Sequence, residues 1–325
     1  MAPTLPHSLP AAAEKQQYVT ISALESGQLT LPERLFVTDA DPEKKATVPS
    51  MAFLVRHPSP GANGRSTTNL VFDLGIKRDV TKYMPAMQTH ISNRQPTIHH
   101  PDTADSLRKG GLDPANDIDI VMLSHVHWDH VGTPEDFTGS QFVVGSGTIH
   151  LLEHGAPPHY PKEIFDPDML PRDRTKELPP VGKSTTAFSS QTTQKWEPLA
   201  SFPAALDFFG DGSIYVIDTP GHLFGHVNLL CRIGPNKWIY LGGDCCHDYR
   251  ILTGEKDIAL YDDGHGELRS VHVDTDAAKQ SVGHIKTLMP GGELLADGVN
   301  KVEVIVAHDG GWREKNKDRF FPGTV

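Results

Sequence analysis

Three imidazoles and one carboxylate fall within six consecutive residues, His125-Val126-His127-Trp128-Asp129-His130. In extended chain His125 and His127 project to the same side, because side chains alternate with period two, so both can hold one cation. The chain must then turn, which aims Asp129 and His130 at a neighbouring point. Imidazole nitrogen and carboxylate oxygen suit a borderline divalent ion such as Zn²⁺. The competing reading is a His-rich surface loop. Against it, the cluster directly follows Ile118–Leu123, an apolar run interrupted only by Asp119 that reads as a buried strand. Sites in α/β proteins form at such strand ends.

Three further stretches have the same logic. Asp218-Thr219-Pro220-Gly221-His222-Leu223-Phe224-Gly225-His226 follows the strand-like SIYVI, with Pro220-Gly221 supplying a turn. One of its histidines, His226 on this reading, completes a three-His site with His125 and His127, leaving His222 a supporting or structural role. Asp244 ends the apolar run WIYL after Gly242-Gly243, and His308 ends Val304-Ile305-Val306-Ala307. Alone, each would be read as structural. Together with the first cluster they supply seven donors for two metal ions: His125, His127, Asp129, His130, His226, Asp244 and His308. Asp309 reads equally as a support for His308 or as a solvated carboxylate. Cys245 and Cys246 read as small buried residues beside the site.

The elements that must position these residues follow from the apolar pattern. Strands are expected at 51–56, 69–72, 118–123, 141–144, 213–217, 227–233, 238–241 and 302–306, with shorter β-rich pieces at YVTIS and RLFV between Tyr18 and Val37. Helices are expected over 102–109, between an Asp102/Thr103 start and a Gly110 stop, and over 274–288, with Pro290-Gly291 beyond. This order predicts an α/β (α+β) sandwich of two mixed β-sheets covered by helices. The 325 residues allow two domains or one large unit. The expected division is a flexible leader over 1–16 and one domain over 17–325, with a Pro-rich, lid-like insertion around 155–200. Pocket walls are expected from 18–35, 155–200 and 250–270. Phe137, Phe188, Phe202, Phe208, Phe224 and Trp196 are aromatic candidates for the pocket, with core packing the alternative.

Thirty basic against 41 acidic residues give a net charge of −11. That argues against nucleic acid and anionic membrane as partners, since neither gains counterion release from such a surface. No 18-residue apolar stretch exists, and the N-terminus lacks the basic and apolar regions of a secretory signal. With three cysteines, two of them sequence neighbours, a reducing cytoplasmic setting is expected. Oligomeric state is not legible.

The HxHxDH stretch, the PGHxxGH stretch, the strand-end GGD and the strand-end AHD, in this order from about Met51 to His308, resemble the metallo-β-lactamase superfamily, and within it the N-acyl homoserine lactonase-like branch. FDLG at 72–75 resembles that family's strand-end Asp-x-Gly. The resemblance implies an αββα fold with His125, His127 and His226 on one metal and Asp129, His130 and His308 on the other. It implies that Asp244 bridges them and that Asp73 buttresses the ligand loop. It further implies two divalent ions, Zn²⁺ first and Mn²⁺, Fe²⁺ or Co²⁺ also fitting, and a hydrolase that opens a lactone by attack of metal-bridging hydroxide. Asp129 would carry the proton to the leaving group. Where the lactonases have a Tyr three residues after the bridging Asp, this chain has His247, with Tyr249 two residues further on. Either His247 takes over as a catalytic donor, or the substrate differs, or His247 is structural. A cyclic lactam or an acyl thioester is therefore the alternative substrate, and a non-catalytic metal-binding protein the alternative class.

Overall fold

Period-two alternation sorts the strands into faces. In Thr68–Phe72, Leu70 and Phe72 join one apolar cluster and Val71 another; in Lys237–Leu241, Ile239 and Leu241 separate in the same way from Trp238 and Tyr240. A strand with both faces apolar must be covered twice, and the chain does this with two sheets face to face and helices outside. The computed structural model describes residues 8–61, 64–181, 194–262, 266–295 and 298–325.

The first sheet holds β1 (Thr20–Leu24), β4 (Ala52–His57), β5 (Thr68–Phe72), β6 (Ile120–Met122), β7 (Gln141–Val144) and β8 (Thr175–Glu177), in that order. Its pairs from β5 to β8 are parallel and the others antiparallel. The second runs β16 (Lys301–Ile305), β13 (Lys237–Leu241), β12 (Val227–Gly234), β11 (Ile214–Asp218), β10 (Phe202–Asp207) and β9 (Glu197–Leu199), with β13 and β16 parallel. Small pairs are β2 (Gln28–Pro32) with β3 (Lys45–Pro49), and β14 (Tyr261–Asp262) with β15 (Leu268–Arg269). The helices are α1 (Pro85–Ser92), α2 (Thr103–Lys109), α3 (Pro114–Asp117), α4 (Thr148–His154), α5 (Tyr249–Thr253), α6 (Thr275–Lys286) and α7 (Gly310–Lys315).

Leu70, Phe72, Met122, Leu229, Ile239 and Ile305 meet between the sheets. Outside the first sheet, Leu107 of α2 and Leu151 of α4 pack on Val71 and Phe142. Outside the second, Ile251 of α5 and Val282 of α6 pack on Leu230 and Tyr240. The layers are thus helix, sheet, sheet, helix, as the sequence predicts. Both expected helices start at aspartate caps: Asp102 forms a reciprocal capping box with Asp105, and Asp274 accepts from the Ala277 amide.

One expectation needs correction. RLFV forms a 3₁₀ turn over Glu33–Leu35 because β2 already supplies the local strand, and Phe36 turns into the apolar cluster of Leu29, Leu31 and Met87. The described part of the leader is anchored: Leu9 is buried, and Arg232 donates to the Pro10 carbonyl at 2.6 Å. The described residues of the segment 155–200 carry β8 and β9 on the edges of the two sheets and bury Phe165, Leu170 and Leu178. Its residues 182–193, Phe188 among them, lie outside the described set. No helix among the described residues is long and apolar enough to cross a membrane.

Candidate metal centre

The sandwich brings the C-terminal ends of β5, β6, β11, β13 and β16 to one edge, and each end is followed directly by donors. After β6 the chain runs through Ser124 into His125 and His127, then tightens, with the His130 amide donating to the His127 carbonyl. This turn aims Asp129 and His130 away from the first pair. After β13, Gly243 takes φ +45°, and a Cβ there would stand 2.9 Å from Ser124 Cβ, so only glycine lets Asp244 come this close to the ligand loop.

Asp244 is the hub. Its Oδ2 lies 3.7 Å from His125 Nε2, 3.4 Å from His222 Nε2 and 3.1 Å from His247 Nε2. Its Oδ1 lies 3.2 Å from His130 Nε2 and 3.1 Å from His308 Nε2. Asp129 Oδ2 lies 3.5 Å from His308 Nε2. Donor atoms of His125, His127, His222 and Asp244 all fall within 4.8 Å of one another, and so do those of Asp129, His130 and His308. One carboxylate therefore faces two separate imidazole groups, one with each oxygen.

The geometry brings His222 rather than His226 into the donor group. His226 joins neither donor group; its Nε2 accepts from the Asp244 amide at 3.2 Å, and its Nδ1 meets the Thr219 hydroxyl at 2.8 Å. With both nitrogens engaged it positions Asp244 and has none left for a cation. Burial also holds its imidazole down at about 4, hence neutral. His222, one turn earlier, instead has its Nε2 2.9 Å from His127 Nδ1. Its Nδ1 meets His272 Nδ1 at 3.1 Å, so His272 orients it. Nothing in the SVHVD stretch around His272 distinguishes it in the sequence.

Three of the remaining imidazoles are oriented in the same manner, each by a partner on the nitrogen turned away from the cluster, whereas His127 Nε2 has none among the described residues. His125 Nδ1 meets Ser124 Oγ at 3.0 Å, His130 Nδ1 meets Asp73 Oδ2 at 2.8 Å, and His308 Nδ1 donates to the Pro49 carbonyl at 2.7 Å. Asp73 also accepts from the Ser124 amide and hydroxyl, both at 2.7 Å. It does so from a left-handed backbone, φ +63°, a conformation its three side-chain bonds overdetermine. Ser50 donates to the Asp129 carbonyl. Asp309 caps α7 through the Trp312 amide at 2.8 Å.

Three observations fit this site to divalent cations. First, His125 Nε2 and His222 Nε2 both stand 2.9 Å from His127 Nδ1, so three imidazole nitrogens crowd into one place. Second, His130 Nε2 and Asp244 Oδ1 are buried without a directed hydrogen-bond partner. Third, the electrostatics call for positive charge. Burial works against charging His130, yet the Asp244 and Asp73 carboxylates outweigh it and hold its imidazole well above the ordinary value. Burial likewise opposes ionising Asp244, and His308, His130 and His247 hold it well below. His125, His127 and His222 go the other way, burial chiefly holding them well below the usual range and so neutral. Neutral imidazoles and ionised carboxylates are the forms that bind metal.

A cavity opens over this cluster, with His127, Asp129, Asp244, His247 and His308 at its base. Leu29 and Leu31 supply one wall as expected from 18–35, and Tyr160 and Ile164 another from 155–200; α1 adds Met87 and His90, which the sequence did not single out. His247 lines this cavity against the ring of Phe36, 4.6 Å between centroids, whereas Tyr249 packs with the outer-helix cluster. Tyr160 does not stand in for the missing Tyr, since its hydroxyl donates to the Val271 carbonyl at 2.5 Å. A roomier cavity of about 290 Å³ lies behind His226 and takes Phe224 and Trp196, but it has no converging donors. Phe137 and Phe202 are core residues.

Asp218 lines that second cavity with no partner for its carboxylate among the described residues, and burial pushes it up to about 7. The fold then holds its proton more tightly than the unfolded chain does. The associated stabilisation is complete below the ordinary aspartate range near 4 and is lost as pH rises through about 7. Asp218→Asn should therefore unfold at a higher temperature than wild type at pH 8, by the equivalent of about 1–3 kcal/mol, with the gap closing by pH 5. Thermal unfolding across pH checks this.

An αββα sandwich with His and Asp donors gathered at its strand ends defines a metallo-β-lactamase-type fold. The comparisons agree. No protein-family model matches the chain. Gamma-lactamase MBL2 of Gibberella moniliformis is 30% identical over 182 residues, 55% of this chain and 70% of that protein. The cytochrome P450 monooxygenase mpaDE' of Penicillium brevicompactum is 28% identical over 328 residues, 94% of this chain but 35% of that protein. The chain spans about a third of the length of mpaDE' and of the similar mpaDE proteins of Penicillium brevicompactum and Penicillium roqueforti. A quorum-quenching N-acyl homoserine lactone lactonase of known structure superposes with a TM-score of 0.62 at 17% identity, over 95% of this chain and all of that one. The chain belongs to the metallo-β-lactamase superfamily.

Proposed function

We propose that this chain is a hydrolase of small cyclic esters that works with two divalent metal ions. The observation that carries the reading is Asp244, whose two oxygens face two distinct imidazole groups. In it, His125, His127 and His222 would hold one ion and Asp129, His130 and His308 the other, with Asp244 offering an oxygen to each, and His226, Asp73 and His272 would orient these ligands. Bound ions of this kind supply hydroxide at neutral pH and polarise a carbonyl oxygen. The protein's own part is to keep His125, His127 and His222 neutral, to aim all five imidazoles, to hold the substrate ring against the apolar walls, and to handle the departing group. Asp129 suits that last task, because it lines the cavity as well as facing His308. His247, between Asp244 and the open pocket, is the side-chain donor within reach of a developing oxyanion.

The ligand types favour Zn²⁺, and Mn²⁺, Fe²⁺ or Co²⁺ suit the same set. A second reading, a cyclic amide as substrate, is favoured by the 30% identity to proteins named gamma-lactamases. The two are told apart by a panel of matched γ-lactones and γ-lactams. Metal removal tests the common part. Dialysis against a chelator should abolish ring opening, and two equivalents of Zn²⁺ per chain should restore it. Ring opening that survives with less than a tenth of the metal left would sink the metal-dependent mechanism.

A further inference from the structure

An arginine sits over the donor cluster without an acid to pair with. Arg94 follows α1, and its backbone is fixed twice: its amide donates to the Ile91 carbonyl at 2.9 Å, and its carbonyl accepts from Thr30 of β2 at 3.0 Å. Its side chain lines the same cavity as Asp129, Asp244 and His247. Several other guanidiniums of the chain find acids, and Arg174 and Arg232 are satisfied by backbone carbonyls instead. Arg78 binds Asp102 and Asp136, Arg250 binds Glu33 and Asp248, and Arg313 binds Glu25. Acidic residues outnumber basic ones 41 to 30, so partners are plentiful. Among the described residues no acid stands within ion-pair distance of Arg94, and Asp129 attracts its charge only from further off, less than burial opposes it. A half-buried cation facing apolar walls is unfavourable unless something neutralises it. Beside it, His90 is kept neutral by burial and by Arg94 itself, with an imidazole pulled down to about 4, so Arg94 is the fixed positive charge of this wall.

We infer that the substrate of this site carries a carboxylate that pairs with Arg94 while its ring carbonyl lies over the His/Asp cluster. This rests on the hydrolase reading above and narrows it to an acidic lactone or lactam. A guanidinium presents two parallel N–H groups that match a carboxylate, and in a pocket otherwise walled by Leu29, Leu31, Phe36 and Met87 that pair fixes the direction in which the ring enters. Hydrolysis remains addition of water across the ring C–O or C–N bond, and the Arg94 pair is spectator to it. The competing view is that the aliphatic stem of Arg94 merely covers the wall while its head stays wet.

The test uses the full Zn²⁺-loaded chain and two γ-lactones that differ only in bearing a free carboxylate or its methyl ester on a short arm. Wild type should open the acid with a kcat/KM about 10- to 100-fold above that of the ester, the difference lying mainly in KM. In Arg94→Gln the acid-to-ester ratio should fall close to one, and Arg94→Lys should recover part of it. Calorimetric titration with the two ring-opened products gives a readout that needs no turnover. The diacid should bind about 10- to 100-fold tighter than its monoester to wild type but not to Arg94→Gln. If neither lactone opens yet Arg94 still governs product binding, the hydrolase reading fails and the subsite stands. If acid and ester behave alike in wild type, or Arg94→Gln keeps the preference with an unchanged unfolding midpoint, the subsite is overturned.

Discussion

Asp244→Ala should cost the chain both metal ions at once. Removing a ligand that serves one ion would leave the other in its own group, but Asp244 faces both. One oxygen lies within 3.4 Å of His222 and the other within 3.2 Å of His130. Metal analysis after gel filtration should show well under one equivalent per chain, and ring opening should fall at least about a thousandfold. Asp244→Asn is the sharper variant. It keeps the shape and the Asp244 amide bond to His226, so the fold is retained, yet an amide has one oxygen and no charge. Without that charge the imidazoles of His130 and His308 lose the neighbour that holds them above the ordinary histidine range against burial. Two tightly held equivalents in Asp244→Asn would refute the bridging assignment.

The parts of this site that could be read from the sequence are those where a strand ends in a donor. His125, Asp244 and His308 each follow an apolar run by one to three residues, and strand direction alone brings them to one edge. The sandwich was legible for the same reason, because Leu70/Val71 and Ile239/Tyr240 alternate between two apolar faces. What stayed hidden depends on contacts between elements distant in sequence. His272 acquires its role only because the loop before α6 packs on the loop after β11, where the Val273 amide donates to the His222 carbonyl. Arg94 is one exposed-looking cation after a weakly patterned helix until β2 fixes its backbone over the cavity. Positions 182–193 add nothing to this comparison. The choice between His222 and His226 is hidden for a different reason. Both follow a glycine within one turn, and spacing cannot say which imidazole faces the cluster. Gly221, at φ +127°, decides it by letting the chain press onto α6, where a Cβ would stand 2.2 Å from the Ala278 amide nitrogen.

That choice yields the second large effect. His222→Ala removes a donor whose Nε2 lies beside His127 and Asp244, so bound metal should drop from two equivalents to about one. Activity should fall by about a hundredfold or more. His226→Ala leaves every donor in place and loses the acceptor for the Asp244 amide and the contact to Thr219. Metal stoichiometry should stay at two under saturating Zn²⁺, with affinity weakened by about 10- to 100-fold, the usual consequence of losing a group that orients a ligand. His226→Gln should recover part of the loss, since its side-chain oxygen can accept from the Asp244 amide. Competition against a chromophoric chelator separates the two variants, because it reads stoichiometry and affinity in one titration. The reverse pattern, with His226→Ala losing an equivalent and His222→Ala keeping both, would restore the ligand set that spacing alone suggested and would require the loop between β11 and β12 to turn over when metal binds.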